Sequence, residues 1–263
     1  MGKSAMIKVY VINKEGTIIA EAAGTKEVNL PVSRTYEEGD RVVFLVDETP
    51  AFYVFQADDA LGEALVYVTG EVSYEIPFGE KKVCYSPKIF SGESHLITAR
   101  KAREWEYESY RNLAVNVMDQ HGDTNCYPHA TANVETRGES VFAARNAIDG
   151  VTSNHSHGYW PYGSWGINRN PEATMRVDFG REVTTDRIEI YTRADFPHDA
   201  WWTKATVRFS DDTTMVCDLV KTDEGQEFTF PPKKVRWVQL EELIKADDPS
   251  PFPALSQLKV YGK

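Results

Sequence analysis

Between Asn146 and Trp202 the chain carries four of its six tryptophans and three of its six histidines, interleaved with turn residues and with Arg193, Asp195 and Asp199. Aromatic rings offer flat apolar faces, an arginine offers a planar fork of donors, and short acidic or imidazole side chains make single, directed hydrogen bonds. Carried on loops, that combination suits a small, flat, hydroxyl-rich ligand. Arg193, Asp195 and His198 would satisfy hydroxyls. Trp160, Trp165 or Trp201, with Tyr162, His155 and His157 nearby, would cover an apolar face of the ligand.

Two catalytic readings compete with this one. His155 and His157 are spaced to reach one side of an extended segment, and His198 would complete three imidazoles for a zinc ion. Asp195 and Asp199 would form a carboxylate pair, which glycoside hydrolysis needs at a separation of about 5–10 Å. Against both, H-x-H is common by chance, and aspartates flanking Pro197 commonly cap a turn or orient an arginine, here Arg193. No P-loop, nucleophile elbow or dinucleotide fingerprint occurs in the sequence.

The elements that must position these residues read as strands. IKVYVIN, TIIAEAA, RVVFLV, AFYVFQA, ALVYVTG and SYEIPF are short apolar or alternating runs separated by KEG, EEGD, DETP and FGEK, whose Gly, Pro and Asp fit tight turns. They predict a small antiparallel sandwich. SGESHLITARKAREWEYESY permits a helix by composition, but HLITARKA alternates, which favours a strand and an extended linker. The neighbouring stretch from Tyr85, with His95 and Arg100, reads as a surface loop packed on the next domain. A second set follows: SVFAARNAI, TMRVDFG, DRIEIYTR, KATVRFSD, TMVCDLV, EFTF, VRWVQLEEL and SQLKVYG. In KATVRFSD, Ala205, Val207 and Phe209 share one parity and Thr206, Arg208 and Ser210 the other, so one face is buried and one wet.

The fold class expected is therefore all-β: two β-sandwich domains, residues 1–110 of unassigned role and 111–263 an eight-stranded jelly roll. A chain of 263 residues that is 41% hydrophobic has length and apolar content for both cores. No run of about 18 apolar residues exists, so membrane insertion is not expected. The formal charge of −11 repels phosphate backbones and argues against nucleic acid. Cys84, Cys126 and Cys217 are odd in number and far apart, which fits core thiols in a reducing compartment better than a disulfide framework. The opening residues lack an apolar signal segment, so a cytoplasmic location is expected for the sequence as it stands, and a secreted or cell-surface one if a signal peptide has been removed.

In order along the chain, NLAVN, PHATAN, ARNAIDG, MRVDFGREVTTDRIEIYTRAD, ATVRFSDD and LSQLKVYG resemble the discoidin, or coagulation-factor type C, domain over about residues 112–262. That family includes bacterial galactose-binding-like carbohydrate-binding modules. The resemblance implies a jelly roll with its ligand site in loops at one end, with sugars as the usual ligands and Arg193 at a sugar-contacting position. It also implies a structural calcium held by Asp149 of AIDG, the following loop with Asn154, and Gln257, where the family more often has Thr and Glu at the last two. Fewer charged oxygens would make that calcium site weak. Trp202 falls at a position usually filled by a buried leucine, which leaves Trp201 as the better ligand contact. Trp160 and Trp165 are open to two roles, sugar stacking or a small core that orders their own loop, and Trp237 reads as structural.

The functional expectation is a non-catalytic carbohydrate-binding protein. The alternatives are a glycoside hydrolase or polysaccharide lyase with its site between the domains, and a protein-interaction module with the tryptophan loops as its surface.

Overall fold

A computed structural model describes residues 6–155, 158–194 and 200–263. The N-terminal strands are β1 (Ile7–Ile12), β2 (Ile18–Gly24), β3 (Glu27–Val32), β4 (Arg41–Val46), β5 (Ala51–Gln56), β6 (Ala64–Val68), β7 (Val72–Glu75) and β8 (His95–Lys101). A short helix α1 (Glu104–Glu108) follows, then β9 (Arg111–Asn112), β10 (Cys126–Tyr127), β11 (His129–Ala132), β12 (Trp165–Gly166), β13 (Met175–Thr192), β14 (Trp202–Phe209), β15 (Thr214–Asp218), β16 (Gln226–Lys245) and β17 (Ala254–Gly262). The fold is nearly all β, as the alternation of its sequence requires.

The first strands make two facing sheets, ordered β2-β1-β4-β7 and β10-β6-β5-β8-β3. Phe44 and Phe55 join them, their rings stacked at 4.3 Å across the core. Strand β3 was not expected from the sequence, because Pro31 interrupts its alternation; it lies at a sheet edge, where a missing N–H costs little.

The second sheet system is one hydrogen-bonded surface of eight strands, β12-β17-β13-β16-β14-β15, with β11 on β13 and β9 on β17. Strand β13 makes two layers from this one surface. Before Gly180 it pairs with β11 and with Trp237–Leu240 of β16; after the break it pairs with β17 and with the earlier part of β16. Gly180 has φ 65°, and a Cβ there would lie 2.5 Å from the Tyr127 ring, so the kink needs glycine. Between the layers sit Met175, Val177, Ile188, Ile190, Trp202, Val207, Phe209, Val238 and Leu258, all essentially buried.

Two expectations are corrected. SVFAARNAI is not a strand but two 3-10 turns, Ser140–Phe142 and Ala144–Ile148, the second buried at every residue. The linker after β8 is not wholly extended, since α1 is closed by Glu106, which accepts two hydrogen bonds of 2.7 Å from the Arg100 guanidinium and one from the Arg103 N–H.

The two sheet systems adjoin closely. Met118, Cys126, Val141, Phe142 and Tyr162 pack into the same apolar cluster as Phe44, Phe55, Tyr74 and Ile89. Polar contacts reinforce the seam: Ser140 Oγ donates to the Glu80 carbonyl at 2.7 Å, and Gln120 exchanges hydrogen bonds with the Glu75 backbone at 2.8 and 2.9 Å. The Arg145 guanidinium lies 4.4 Å from the Tyr85 ring.

Candidate functional site

The loop after Asp149 is anchored at both ends. Val151 N–H donates to Asp149 Oδ1 at 2.8 Å, His155 N–H donates to the Pro161 carbonyl at 2.7 Å, and Trp165 enters β12 against β17. Tyr162, the first aromatic after the cis Trp160-Pro161 bond, turns inward and joins the N-terminal apolar cluster. This leaves Tyr159, 73% exposed, and Trp160, 39% exposed, on the outer side of the loop.

Both rings open onto a cleft of about 790 Å³ between this loop and the segment that follows β7. Tyr85, Ser86, Pro87 and Lys88 supply the opposite wall, with Val83 and Lys82, whose ammonium donates to Ser91 Oγ at 2.8 Å. None of the described lining residues is acidic. The cleft thus combines aromatic faces, two cations and a hydroxyl, which can stack on a ring and donate to oxygens.

Arg193 lies elsewhere. It leaves the end of β13, is 1% exposed, and its Nη1 donates to the Tyr162 carbonyl at 2.7 Å. It lines a second, more enclosed pocket of about 140 Å³, together with Thr136, Arg137, Phe142, Ser164, Asn168, Arg169 and Phe252. The residues expected to act with Arg193 are therefore divided: Trp160 and Tyr162 line the cleft, and Arg193 lines the pocket.

Of the two roles open to Trp165, the structure has it in the core rather than at a ligand: it is fully buried, its indole N–H donates to the Val134 carbonyl at 2.9 Å, and its ring lies 6.4 Å from that of Trp202. Trp202 is itself fully buried, while Trp201 is half-buried with Lys221 Nζ 5.3 Å from its ring, and lines neither cavity. Trp237 lies under the Arg176 guanidinium at 4.0 Å. His155 is exposed on the loop. His157, Asp195, His198 and Asp199 lie outside the described residues. His95 and Arg100 are occupied by Asp58 and Glu106 and stand apart from both cavities.

Two of the three residues named for calcium, Asp149 and Gln257, do meet, but an amide donor faces where a cation would need an acceptor. Gln257 Nε2 donates to the Asn146 carbonyl at 2.6 Å and to Asp149 Oδ1 at 2.7 Å, and Gln257 Oε1 accepts from Gly150 N–H at 3.0 Å, which fixes the amide's orientation. Arg145 Nη1 stands 3.9 Å from the other Asp149 oxygen. Burial pushes the Asp149 carboxyl up to about 6 against the pull of Arg145. Asn154 is not part of this set, its amide donating to Ser256 Oγ at 3.2 Å. An amide and a guanidinium thus fill the role of the ion, and this donor set does not fit calcium. Among the described residues no group of three His, Cys, Asp or Glu is arranged to hold a metal.

Sequence reasoning missed Tyr159, Lys82 and Lys88 of the cleft, and Arg137, Ser164, Asn168, Arg169 and Phe252 of the pocket. The available signal was weak: two arginines within turn-forming TRG and NRN in an otherwise acidic chain.

Residues 129–248 match the F5/8 type C domain. No curated protein matches the chain. Among solved structures it is similar to chitosan-binding module 1 from a chitosanase/glucanase of Paenibacillus sp. IK-5, at 20% identity and TM-score 0.40 over 58% of this chain and 99% of that one. The lectin domain of lectinolysin complexed with Lewis B antigen is similar at 19% identity and TM-score 0.44 over 58% and 97%. The family 32 carbohydrate-binding module of Clostridium perfringens NanJ, in complex with galactose, is similar at 19% identity and TM-score 0.37 over 50% and 91%.

Proposed function

We propose that this protein binds carbohydrate without transforming it, and that the aromatic cleft is where a glycan sits. The observation that carries this reading is the pair of outward rings, Tyr159 and Trp160, on a cleft whose other wall is Tyr85, Ser86, Pro87 and Lys88. The apolar C–H face of a pyranose would stack on Trp160 and exclude water from hydrogen bonds made by Ser86 and Lys88. The family's jelly roll, with its ligand loops at one end, supports the same conclusion. Such a site buries little area, so affinity for a single unit is on the order of micromolar to millimolar, raised when a polymer engages several copies.

The test is a glycan array read with the full chain and with a Tyr159→Ala, Trp160→Ala variant of unchanged melting temperature. Binding to one glycan class that the variant loses is the expected result. A well-folded wild type that captures no glycan would overturn it.

A further inference from the structure

Two arginines face each other at the seam between the sheet systems, far from the loops of the cleft. Arg111 lies in β9 and Arg181 follows the Gly180 kink of β13, and both line a small cavity with Phe52 and Tyr67 of the N-terminal sheet and Tyr127 and Phe179. This cavity shares no lining residue with the cleft or with the Arg193 pocket. Strand β17 measures the separation: Gly262, near one end, pairs with Arg111, and Ala254, at the other, lines the Arg193 pocket. Eight steps of extended chain put them roughly 25 Å apart.

Neither charge is neutralised. Arg111 Nη1 donates to the Asn112 carbonyl at 3.2 Å and Arg181 Nη1 to the Glu182 carbonyl at 3.1 Å, while the Arg181 guanidinium lies 4.8 Å from the Phe52 ring. Carbonyls and a ring orient a guanidinium and leave its net charge in place. No carboxylate lines the cavity, and among the described residues neither arginine forms an ion pair, in a chain whose formal charge is −11. Burial pushes both guanidiniums below their ordinary value, Arg111 to about 10 with Arg181 adding to the effect. Both still carry charge at neutral pH, so two like charges share one partly buried place at an electrostatic cost.

A second observation concerns a single atom. Arg111 Nε is buried and has no hydrogen-bond partner in the protein. A charged donor left without an acceptor is among the costlier buried groups, and an anion would complete it while offsetting the repulsion between the arginines. The space is about 10 Å³, room for one water-sized atom rather than for a phosphate or a carboxylate. We propose that Arg111 and Arg181 hold a monoatomic anion of chloride size, and that this ion stabilises the seam where β9 and β13 meet Phe52 and Tyr67. The inference goes beyond the glycan-binding reading of the cleft and does not depend on it.

The test is a chloride titration of the halide-free full chain, read by the NMR line width of the chloride ion, with methanesulfonate holding the ionic strength constant. A saturable broadening that bromide displaces is expected. Arg111→Gln and Arg181→Gln should each weaken it at least about tenfold, and Arg169→Gln, which alters the other arginine-lined cavity, should leave it unchanged. Replacing methanesulfonate by about 200 mM chloride should raise the melting temperature of the wild type by roughly 2–5 °C and leave the Arg111 and Arg181 variants within about 1 °C. A purely structural role for either arginine would instead shift the melting temperature equally in both salts. The wild-type measurements stand without any variant. Broadening that never saturates, saturable broadening retained in Arg111→Gln, or a wild-type melting temperature equal in the two salts would each overturn the proposal, as would displacement of chloride by sulfate more readily than by bromide.

Discussion

Gln257 and Asp149 are joined side chain to side chain at 2.7 Å, with the amide nitrogen as donor and the carboxylate as acceptor. In a cation site both partners would turn oxygens toward a common centre. Here an amide N–H lies between the two side chains, so the AIDG turn is tied to β17 by the neutral Gln257 amide, while Arg145 of the same turn stands 3.9 Å from the other Asp149 oxygen.

A chelator should therefore leave the melting temperature of the wild type unchanged. Gln257→Glu should destabilise by roughly 2–4 kcal/mol, because it removes the donors and puts a second carboxyl beside Asp149. Millimolar calcium should restore part of that loss in the variant alone. Differential scanning calorimetry with and without chelator reads both outcomes, and a chelator-dependent fall in the wild type would refute the arrangement.

The two tryptophans of the aromatic loop should separate cleanly. Trp165→Ala should cost about 3–5 kcal/mol, since it empties a buried site and orphans the Val134 carbonyl. Trp160→Ala should shift stability by less than about 1 kcal/mol and reduce glycan binding. Equal destabilisation by the two, read by urea titration, would contradict the placement of Trp160 at the cleft.

The turn that holds Asn168 and Arg169 depends on Gly166. A Cβ there would sit 2.6 Å from Thr136 Oγ1, the atom that accepts from Asn168 N–H at 2.9 Å. Gly166→Ala should displace Thr136 and cost about 1–3 kcal/mol without touching the cleft. Calorimetry measures the cost, and glycan binding equal to that of the wild type checks that the cleft is untouched.

Acid should loosen the junction after β8. The hydrogen bonds from Arg100 pull the Glu106 carboxyl down to about 2, below its ordinary value near 4.5. The folded state thus favours the ionised form: the stabilisation is fully present above the unfolded value and is lost as pH falls through about 2. Arg100→Gln should flatten that part of the stability profile, and an unchanged acid limb would show that the pair contributes nothing.

Much of this architecture is legible in the sequence because period-two alternation survives where a strand has one wet face, as in β14, whose Ala205, Val207 and Phe209 face the core. Alternation fails where all faces are covered. Ala144–Ile148 is buried throughout, the polar Arg145 and Asn146 included, so polarity does not mark an inward face there and the segment reads equally as strand or turn. The site was harder for a related reason: a loop tryptophan faces ligand or core according to a partner distant in sequence, and Val134 decides it for Trp165. Arg137 and Arg169 carry no sequence mark of convergence, because their meeting depends on backbone conformation and on Phe142 and Phe252.

Phe142 has two allegiances. It belongs to the apolar cluster of the N-terminal sheets, and it also forms a wall of the arginine pocket and the bed on which Arg137 rests. Met118, Cys126, Val141 and Tyr162 cross the seam with it. A fragment cut near residue 110 would thus expose these side chains and unseat the wall of a cavity it nominally contains, so the N-terminal sheets act as the mould in which these loops of the jelly roll are cast.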